Sequence, residues 1–510
     1  MADICLLVEG AYPYVTGGVS AWLHSLVSNL PDLTFALTYI GARPDQPREA
    51  LYHLPANVVE FREVFVNDPD RITKHQRRIR PSPLAWQNFH TLHEAVAVGK
   101  PYDSKTFLPL LREPGFARLT TADLFHAPES WEMLIKLYQL YAPKESFVDF
   151  FWTFRFTYLP IFTVFETILP PARVYHAVST GYSGLFGALA KIRTGRPLIV
   201  TEHGLYTRER EIEIAQATWM DQPAWQHGMN QRRLGFFQEW WLNIYHFMEK
   251  MTYDSADALI SITRVNQHYQ LKRGADPAKS WVIPNGIDIE RLANLRPPIA
   301  PTAEYVQPTD RFLIGFVGRV VPIKDVKTWI RAIKIVQQTI EHLTAYIVGP
   351  TEEDPAYFQE CCRLVELLDL TTVVQFTGPA DVSSYYSKLD LLVLTSLSEG
   401  QPLVVLEGSC AGLPVIATDV GACRELLLGV SPEDQAIGAS GIITPVASPD
   451  KTAKAIIHLW RDRDLRSKMG RAGQERTRRF YRQEQLYRSY DELYRQYIAQ
   501  PTLAQEFARA

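Results

Sequence analysis

Two glutamates in the second half of the sequence, Glu399 and Glu407, bracket a short apolar segment that begins at Pro402. Glu399 follows an apolar run typical of a buried parallel strand, and Glu407 falls about a turn and a half into the helix predicted to start at Pro402. Because Pro suits the first helical position, the amides of Leu403 and Val404 would be available to a phosphate. Carboxylates bind vicinal hydroxyls, so this segment suits a ligand with a central diphosphate and a sugar at each end. The plainer alternative is that Glu399 caps the helix and Glu407 is solvated.

A second polar group follows an earlier predicted strand of the same domain, where Gly318, Arg319 and Lys324 end an apolar run. Arg can grip phosphate oxygens with two nitrogens and Lys adds a point charge, so the pair could stabilise a departing diphosphate. A solvated Arg and Lys would give the same sequence. The conjunction favours the first interpretation, because both groups fall at the carboxyl ends of strands, where open α/β sheets bind nucleotides.

The first half of the sequence contributes Gly17, Gly18 and His203. The paired glycines precede an amphipathic helix and would let a ligand approach the backbone closely, although an ordinary tight turn is the common explanation. The dinucleotide fingerprint G-x-G-x-x-G is absent. His203 follows the predicted strand 198–201 and therefore falls at a ligand-binding strand end.

Strands and helices alternate in both halves, which predicts an α/β protein with two doubly wound parallel sheets. The segment at about 68–171 interrupts the first pattern with helical periodicity and many Pro residues, so we interpret it as a helical insertion. The composition of 296–302 is typical of a linker. We therefore predict a first domain over 1–292, completed by a crossover helix at about 483–510, and a second domain over 303–482.

Composition limits the classes of function. A chain of 510 residues is too long for a single hydrophobic core, so we expect at least two domains. The 53 basic and 56 acidic residues nearly cancel, so the net charge does not favour binding to nucleic acid. The five cysteines lack metal-ligand spacing, and the sequence opens directly into a strand without a basic region or cleavage site, so we expect a cytoplasmic protein. The aromatic stretch 147–169 is too often interrupted to span a membrane. It predicts a helical pair under the core, or alternatively a surface that leans on a membrane or a partner.

Two D-x-D sequences, Asp68 to Asp70 and Asp462 to Asp464, could hold a divalent metal. Both lie far in sequence from the phosphate-binding groups, so we interpret them as turn and helix-end residues and expect no metal. Arginines and tyrosines recur through the closing helices, but interleaved acidic residues favour a salt-bridged helix over a nucleic-acid surface.

The motifs taken together resemble the retaining GT-B glycosyltransferases of family 4, the glycogen-synthase-like group. The resemblance covers both domains in order and rests on Gly17-Gly18, Glu202-His203-Gly204, Asn285-Gly286-Ile287-Asp288, Gly318-Arg319 with Lys324, and Glu399 with Glu407. Residues 201–210 and 398–402, with the helical insertion, resemble more narrowly the PelF type, the cytosolic transferase of Pel exopolysaccharide systems.

The resemblance implies a GT-B fold, in which two Rossmann-like domains face across a cleft, with the donor bound mainly by the second domain. His203, Arg319, Lys324 and Glu399 are the implied catalytic residues: Arg319 and Lys324 hold the diphosphate, Glu399 the hexose, and His203 lies beside the anomeric carbon. The implied donor-binding residues are Gly17, Gly18, Gly318, Ser398, Gln401, Leu403, Val404 and Glu407, the last at the ribose. Gln401-Pro402 departs from the Phe-Gly of many members.

The implied activity is retaining, metal-independent transfer of a hexose from a UDP-sugar to a growing exopolysaccharide in the cytosol, without any cofactor. The partners would be a nucleotide sugar, a glycan acceptor and integral proteins at the inner membrane face, with no nucleic acid. Two alternatives stay open: another nucleotide-sugar enzyme of glycogen- or sucrose-synthase type, and a non-catalytic scaffold that binds nucleotide sugars. The sequence does not choose among glucose, GlcNAc and GalNAc.

Overall fold

The computed structural model describes residues 1–73, 81–107, 110–111, 119–216, 234–295 and 311–499. The chain divides into two compact units, one over 1–261, 267–281 and 490–510 and the other over 262–266 and 282–489. The predicted linker 296–302 and residues 500–510 of the predicted crossover helix lie outside the described residues. The predicted domain limits stay a prediction.

The first unit is built on a seven-stranded parallel sheet in the order β3-β2-β1-β4-β5-β6-β7. Continuous apolar runs form its central strands because both faces are covered by helices. The strand order reverses between β1 and β4, where Ile4 pairs with Phe35 on one side and Val174 on the other. The strands are β1 (Ala2–Glu9), β2 (Phe35–Gly41), β3 (Val58–Phe65), β4 (Ala172–Ala177), β5 (Leu198–Glu202), β6 (Ala258–Ser261) and β7 (Ser280–Val282).

Helices connect these strands and fill the segment predicted as an insertion. They are α1 (Gly18–Ser28), α2 (Asp70–Thr73), α3 (Pro83–Val96), α4 (Thr121–His126), α5 (Pro128–Tyr141), α6 (Phe147–Glu166), α7 (Tyr182–Thr194), α8 (Tyr206–Gln216), α9 (Phe236–Ser255) and α10 (Arg264–Lys272). Aromatic side chains from α3, α6 and α9 make much of the core beneath the sheet, including Phe89, Phe150, Tyr158 and Trp240.

The aromatic stretch 147–169 forms one helix, α6, rather than the predicted helical pair. Its second half is buried from Thr157 to Phe165, whereas Val148, Trp152 and Phe156 near its start are exposed. Pro160 lies inside the helix without ending it, because the surrounding residues are packed in the core and tertiary burial overrides the local cost of Pro. Within the described ranges, no helix is long and apolar enough to cross a membrane.

The second unit contains a six-stranded parallel sheet in the order β10-β9-β8-β11-β12-β13. Its strands are β8 (Phe312–Val317), β9 (Leu343–Val348), β10 (Val374–Gly378), β11 (Leu391–Leu394), β12 (Val415–Thr418) and β13 (Gly441–Thr444). The order reverses between β8 and β11, which pair through Ile314 and Leu391. This reversal is the topological switch point, the place where open α/β sheets form a crevice at the strand carboxyl ends.

The helices of the second unit are α11 (Ile289–Leu292), α12 (Val326–Gln337), α13 (Pro355–Leu367), α14 (Val382–Tyr386), α15 (Leu403–Cys410), α16 (Cys423–Leu428), α17 (Pro432–Gln435), α18 (Pro449–Arg461), α19 (Arg463–Phe480) and α20 (Gln483–Ile498). The closing helical stretch breaks between α19 and α20, because Ile287 exchanges backbone hydrogen bonds with Tyr481 and Gln483 there. From Tyr490 on, α20 groups with the first unit.

Candidate functional site

Lys324 and Glu399 meet at the switch point of the second sheet. Lys324 ends a short 3-10 helix after β8, and Glu399 lies in the loop after β11. The Lys324 ammonium nitrogen is 2.5 Å from Glu399 Oε1, and the side chains are only 17% and 10% exposed. The Ser396 hydroxyl donates to the same oxygen at 2.6 Å. The fold therefore brings together a cation and a carboxylate that are 75 residues apart in sequence.

Backbone contacts tie the two loops to each other. The amide of Leu397 donates to the carbonyl of Ile323 at 2.8 Å, and the hydroxyl of Thr395 donates to the carbonyl of Asp325 at 3.0 Å. Asp325 has a φ of +45°, which Asp tolerates better than most residues, and its carboxylate caps α12 at the Thr328 amide. The turn that carries Lys324 is thus anchored at both ends.

Gly421, in the loop after β12, supports the other side of the Glu399 loop. Its φ is +49°, and a Cβ at this position would lie 2.0 Å from the Glu399 carbonyl oxygen. The next amide, of Ala422, donates to the Gly400 carbonyl at 2.9 Å. Sequence reasoning missed Gly421, although a glycine shortly after a buried strand was the available signal.

The start of α15 differs by one residue from the prediction. Pro402 is the N-cap, with an extended ψ of 106°, and Leu403 is the first helical residue. The amides of Leu403 and Val404 still fall in the first turn, where helix geometry supplies no acceptor. The helix start next to Glu399 therefore keeps two amides without a helical acceptor, as the sequence predicted.

Glu407, on α15, is held by a residue that sequence reasoning did not identify. The buried Tyr386 hydroxyl donates to Glu407 Oε2 at 2.9 Å, while Arg291 lies 3.9 Å from Oε1. Burial, with the adjacent Glu407 charge, raises the pKa of Tyr386 well above its usual range, so it remains a donor. No sequence signal marked Tyr386, because it ends a five-residue helix far from the motif.

Arg319 lies in the loop after β8, but its partner is Glu353 from the loop after β9. The guanidinium Nη1 is 2.6 Å and 2.7 Å from the two carboxylate oxygens of Glu353, and both side chains are about half exposed. Gly318 has a φ of +153°, and a Cβ on Gly349 would lie 2.2 Å from the Gly318 carbonyl oxygen. The close backbone approach of these two loops sets Arg319 beside Glu353, which sequence reasoning also missed.

Two further residues predicted to bind the donor have different surroundings. The Gln401 amide accepts from the backbone N–H of Asn285 at 2.8 Å and donates to the Asn285 carbonyl at 3.4 Å. Its side chain is therefore occupied by the Asn285-Gly286 turn. Ser398 is exposed in the Glu399 loop. Their role in donor binding stays a prediction.

His203 lies in the first unit, directly after β5. Its ring contacts Trp22 edge-on with a centroid separation of 4.4 Å, and its buried Nε2 has no hydrogen-bond partner within the described part of the chain. Burial lowers the pKa of His203 to about 4, so the imidazole is neutral at physiological pH. Gly17 and Gly18, at the start of α1, are exposed, and a Cβ at either would meet no atom within 4 Å.

Glu202, the neighbour of His203, is buried and is the last residue of β5. Its carboxylate accepts from Thr180 at 2.9 Å, Tyr253 at 2.9 Å and Gln270 at 2.8 Å. Burial raises the pKa of this carboxyl, and the three hydrogen bonds act in the opposite direction. Glu202 fixes the backbone from which His203 projects.

The D-x-D residues have local partners. Asp462 caps α19 by accepting from the Leu465 amide at 2.8 Å, and Asp68 accepts from the Asp70 amide at 3.0 Å. Across the described residues, no group of three or more His, Cys, Asp and Glu side chains could hold a metal ion.

Comparisons with known proteins match two separate parts of the chain to different families. Residues 2–278 match the family described as Domain of unknown function (DUF3492), and residues 311–462 match Glycosyl transferases group 1. A D-inositol 3-phosphate glycosyltransferase of Kineococcus radiotolerans is 29% identical over 246 residues, which cover 46% of this chain and 55% of that protein. The matched region thus spans about half the length of that curated relative.

Solved structures of the same architecture cover almost the whole chain. A sucrose-phosphate synthase from Thermosynechococcus elongatus aligns with a TM-score of 0.56 at 18% identity, covering 98% of this chain and 99% of that one. Anabaena HepE, solved with UDP, aligns with a TM-score of 0.56 at 14% identity, covering 97% of this chain and 100% of that one. These likenesses, with the two Rossmann-like sheets, confirm the predicted GT-B fold.

Proposed function

The chain belongs to the family described as Domain of unknown function (DUF3492), joined here to a Glycosyl transferases group 1 domain, and from this premise we propose that it is a retaining, metal-independent hexosyltransferase. In the proposed reaction a hexose passes from a UDP-sugar to a growing exopolysaccharide. A nucleotide-sugar donor is supported by the GT-B fold, and HepE, which shares this fold, was solved with UDP.

The observation that carries the proposal is the Lys324–Glu399 pair at the switch point of the second sheet. A nucleotide sugar is negative at the diphosphate and rich in hydroxyls at both ends. Lys324 and the α15 start supply positive charge and free amides, while Glu399 and Glu407 supply acceptors. Lys324, Glu399 and the start of α15 follow the carboxyl ends of β8 and β11, and Glu407 lies on α15 in the same unit.

In the proposed mechanism, the bond between the hexose C1 and the UDP β-phosphate oxygen breaks while an acceptor hydroxyl bonds to C1 on the same face. The hydroxyl proton passes to the departing phosphate oxygen. Lys324 and Arg319 stabilise the negative charge that develops there, which is where electrostatic catalysis acts most strongly. Glu399 orients the hexose and Glu407 the ribose.

A glycosidase is disfavoured by the engagement of the two carboxylates. Glycoside hydrolysis needs one carboxyl as acid and a second as nucleophile or base, both at the anomeric centre. Here Glu399 is paired with Lys324, and Glu407 is held by Tyr386.

Metal independence is supported by the local partners of Asp68 and Asp462. A bound divalent ion would need several oxygen ligands, whereas these carboxylates cap backbone amides. Turnover should therefore survive EDTA. Loss of turnover that manganese restores would contradict this part of the proposal.

We place the acceptor at the inner membrane face, consistent with the likeness of residues 201–210 to the PelF type, and assign the exposed start of α6 to docking there. Replacing Trp152 and Phe156 with Ala should lower co-flotation of the protein with membranes. Leu367→Ala, at an exposed leucine of the second unit, is the matched control. Unchanged flotation of the α6 variant would contradict the assignment.

The decisive experiment is a screen of UDP-glucose, UDP-GlcNAc and UDP-GalNAc by calorimetry and by release of UDP. We expect binding of one sugar nucleotide and UDP release that depends on an acceptor glycan. Phosphate-dependent release of sugar phosphate would instead indicate a phosphorylase. Sugar-nucleotide binding with no turnover on any acceptor or on water would indicate a scaffold.

A further inference from the structure

Each of the two carboxylates on the second sheet's edge has one oxygen held by a buried hydroxyl. The Ser396 hydroxyl donates to Glu399 Oε1 at 2.6 Å, and the Tyr386 hydroxyl donates to Glu407 Oε2 at 2.9 Å. Both hydroxyl-bearing residues are fully buried. A buried hydroxyl has few alternative partners, so each contact restrains the carboxylate that accepts it.

The opposite oxygen of each carboxylate is left without a hydrogen bond from the described residues. Lys324 and Ser396 both bind Oε1 of Glu399, which leaves Oε2 unbound. Oε1 of Glu407 faces Arg291 at 3.9 Å, beyond hydrogen-bond range. One oxygen of each carboxylate thus keeps its capacity to accept a hydrogen bond from a ligand.

We propose that Ser396 and Tyr386 are positioning residues that fix the orientation of the Glu399 and Glu407 carboxylates toward the donor. Ser396 acts through Glu399 on a hydroxyl of the hexose, and Tyr386 acts through Glu407 on a hydroxyl of the ribose. This assignment rests on the proposed function, because it presumes a donor with both sugars.

The physical basis is the soft terminal torsion of glutamate, which has broad, roughly two-fold preferences. When the hydroxyl is removed, the carboxylate rotates more freely and must be ordered again on binding. Hydrogen bonds to charged groups are among the stronger ones in proteins, so the loss of one should be measurable as a change in affinity. When part of the ordering of the carboxylate is lost, we expect the affinity to weaken roughly tenfold, which corresponds to about 1.4 kcal/mol.

The two hydroxyls act on different parts of the donor, so two ligands separate their effects. UDP contains the ribose and diphosphate but no hexose, whereas UDP-glucose contains all three. Tyr386→Phe should weaken UDP and UDP-glucose alike, by about tenfold each. Ser396→Ala should weaken UDP-glucose by about tenfold and leave UDP within about twofold.

The experiment measures dissociation constants of both ligands by calorimetry for the wild type and each variant, with UDP-GlcNAc and UDP-GalNAc in parallel arms. Ser409→Ala is the matched control, because Ser409 is a buried serine of α15 whose hydroxyl has no partner in the described chain. This control should bind every ligand as the wild type does. A purely structural role for Ser396 would change UDP and UDP-sugar affinities together.

Two results would overturn the assignment in distinguishable ways. If the wild type binds a UDP-sugar and Ser396→Ala binds it equally well, or loses UDP to the same extent, the positioning role of Ser396 is wrong and the proposed function stands. The same holds for Tyr386 if Tyr386→Phe binds UDP unchanged. If the wild type binds neither UDP nor any of the three UDP-sugars, the proposed function falls, and the positioning roles fall with it.

Discussion

At the carboxyl ends of their strands, the two sheets stabilise buried polar residues in opposite ways. On the second sheet, Glu399 has Lys324 as a charged partner within 2.5 Å. On the first sheet, the donors to Glu202 among the described residues are neutral, burial raises the pKa of its carboxyl, and burial keeps His203 beside it neutral. Desolvation disfavours a charge unless an opposite charge offsets it. From this contrast we expect the strand ends of the second sheet to bind a charged ligand group and those of the first sheet an uncharged one.

Replacing Lys324 with Ala tests the Lys324–Glu399 pair of the second sheet and should cause the largest loss of turnover. We expect turnover to fall about a thousandfold, because an electrostatic contact to the departing phosphate is lost. Lys327→Ala is the matched control, since Lys327 pairs with Glu360 on the neighbouring helix and is outside the proposed site. UDP release at saturating donor measures both variants.

The same substitution leaves Glu399 largely buried without its cation, and removing one partner of a buried pair costs about 3–5 kcal/mol. Urea unfolding must therefore accompany the activity assay, and Lys324→Arg, which keeps the charge, should recover the unfolding midpoint in part. A folded Lys324→Ala variant with turnover within tenfold of the wild type would contradict the role of Lys324.

Arg319→Ala should have the next largest effect, a loss of about a hundredfold in turnover. The pair with Glu353 is about half exposed and contributes at most about 1 kcal/mol to stability, so the fold should be unaffected. Glu353→Ala is the informative control, because it removes the present partner of Arg319 but leaves the cation. If Glu353→Ala lowers turnover as much as Arg319→Ala does, the pair is needed as a unit and Arg319 alone does not carry the effect.

The sequence predicted those features of the strand ends that depend on local residue patterns. Apolar runs placed the strand ends, and the residues after them gave Lys324, Glu399 and His203. It could not predict which side chains pair, because Glu353 and Tyr386 reach the site from other loops and helices through tertiary packing. The single helix α6 was missed for a related reason: Pro160 favours a break locally, but burial of the surrounding residues overrides it.

Gly421→Ala tests whether the Lys324–Glu399 pair depends on the backbone that packs against the Glu399 loop. The new Cβ would lie 2.0 Å from the Glu399 carbonyl and would require a left-handed φ, so the Glu399 loop must shift. We expect a loss of roughly 1–3 kcal/mol in unfolding free energy and weaker UDP-sugar binding. Gly378→Ala is the control, because its φ of +67° is also in the left-handed region and no atom lies within 4 Å of the new Cβ, so it tests the backbone strain without the contact. Equal UDP-sugar binding by the two variants would show that the contact with Glu399 is unimportant.

The smallest effect is expected on the first sheet, where His203 should not titrate near neutral pH. Burial lowers the pKa of His203 to about 4, below the usual 6.5, so its imidazole takes up a proton only well below neutral pH. In NMR spectra of protein with labelled histidine, the signal that disappears in His203→Gln should stay constant from pH 8 to pH 5.5. Because the unfolded state binds the proton at a higher pH than the folded state does, the contribution of His203 to stability declines as the pH falls from 6.5 to 4. A midpoint between pH 6 and 7 would mean that His203 is solvated and can be charged, and the contrast between the two edges would then be lost.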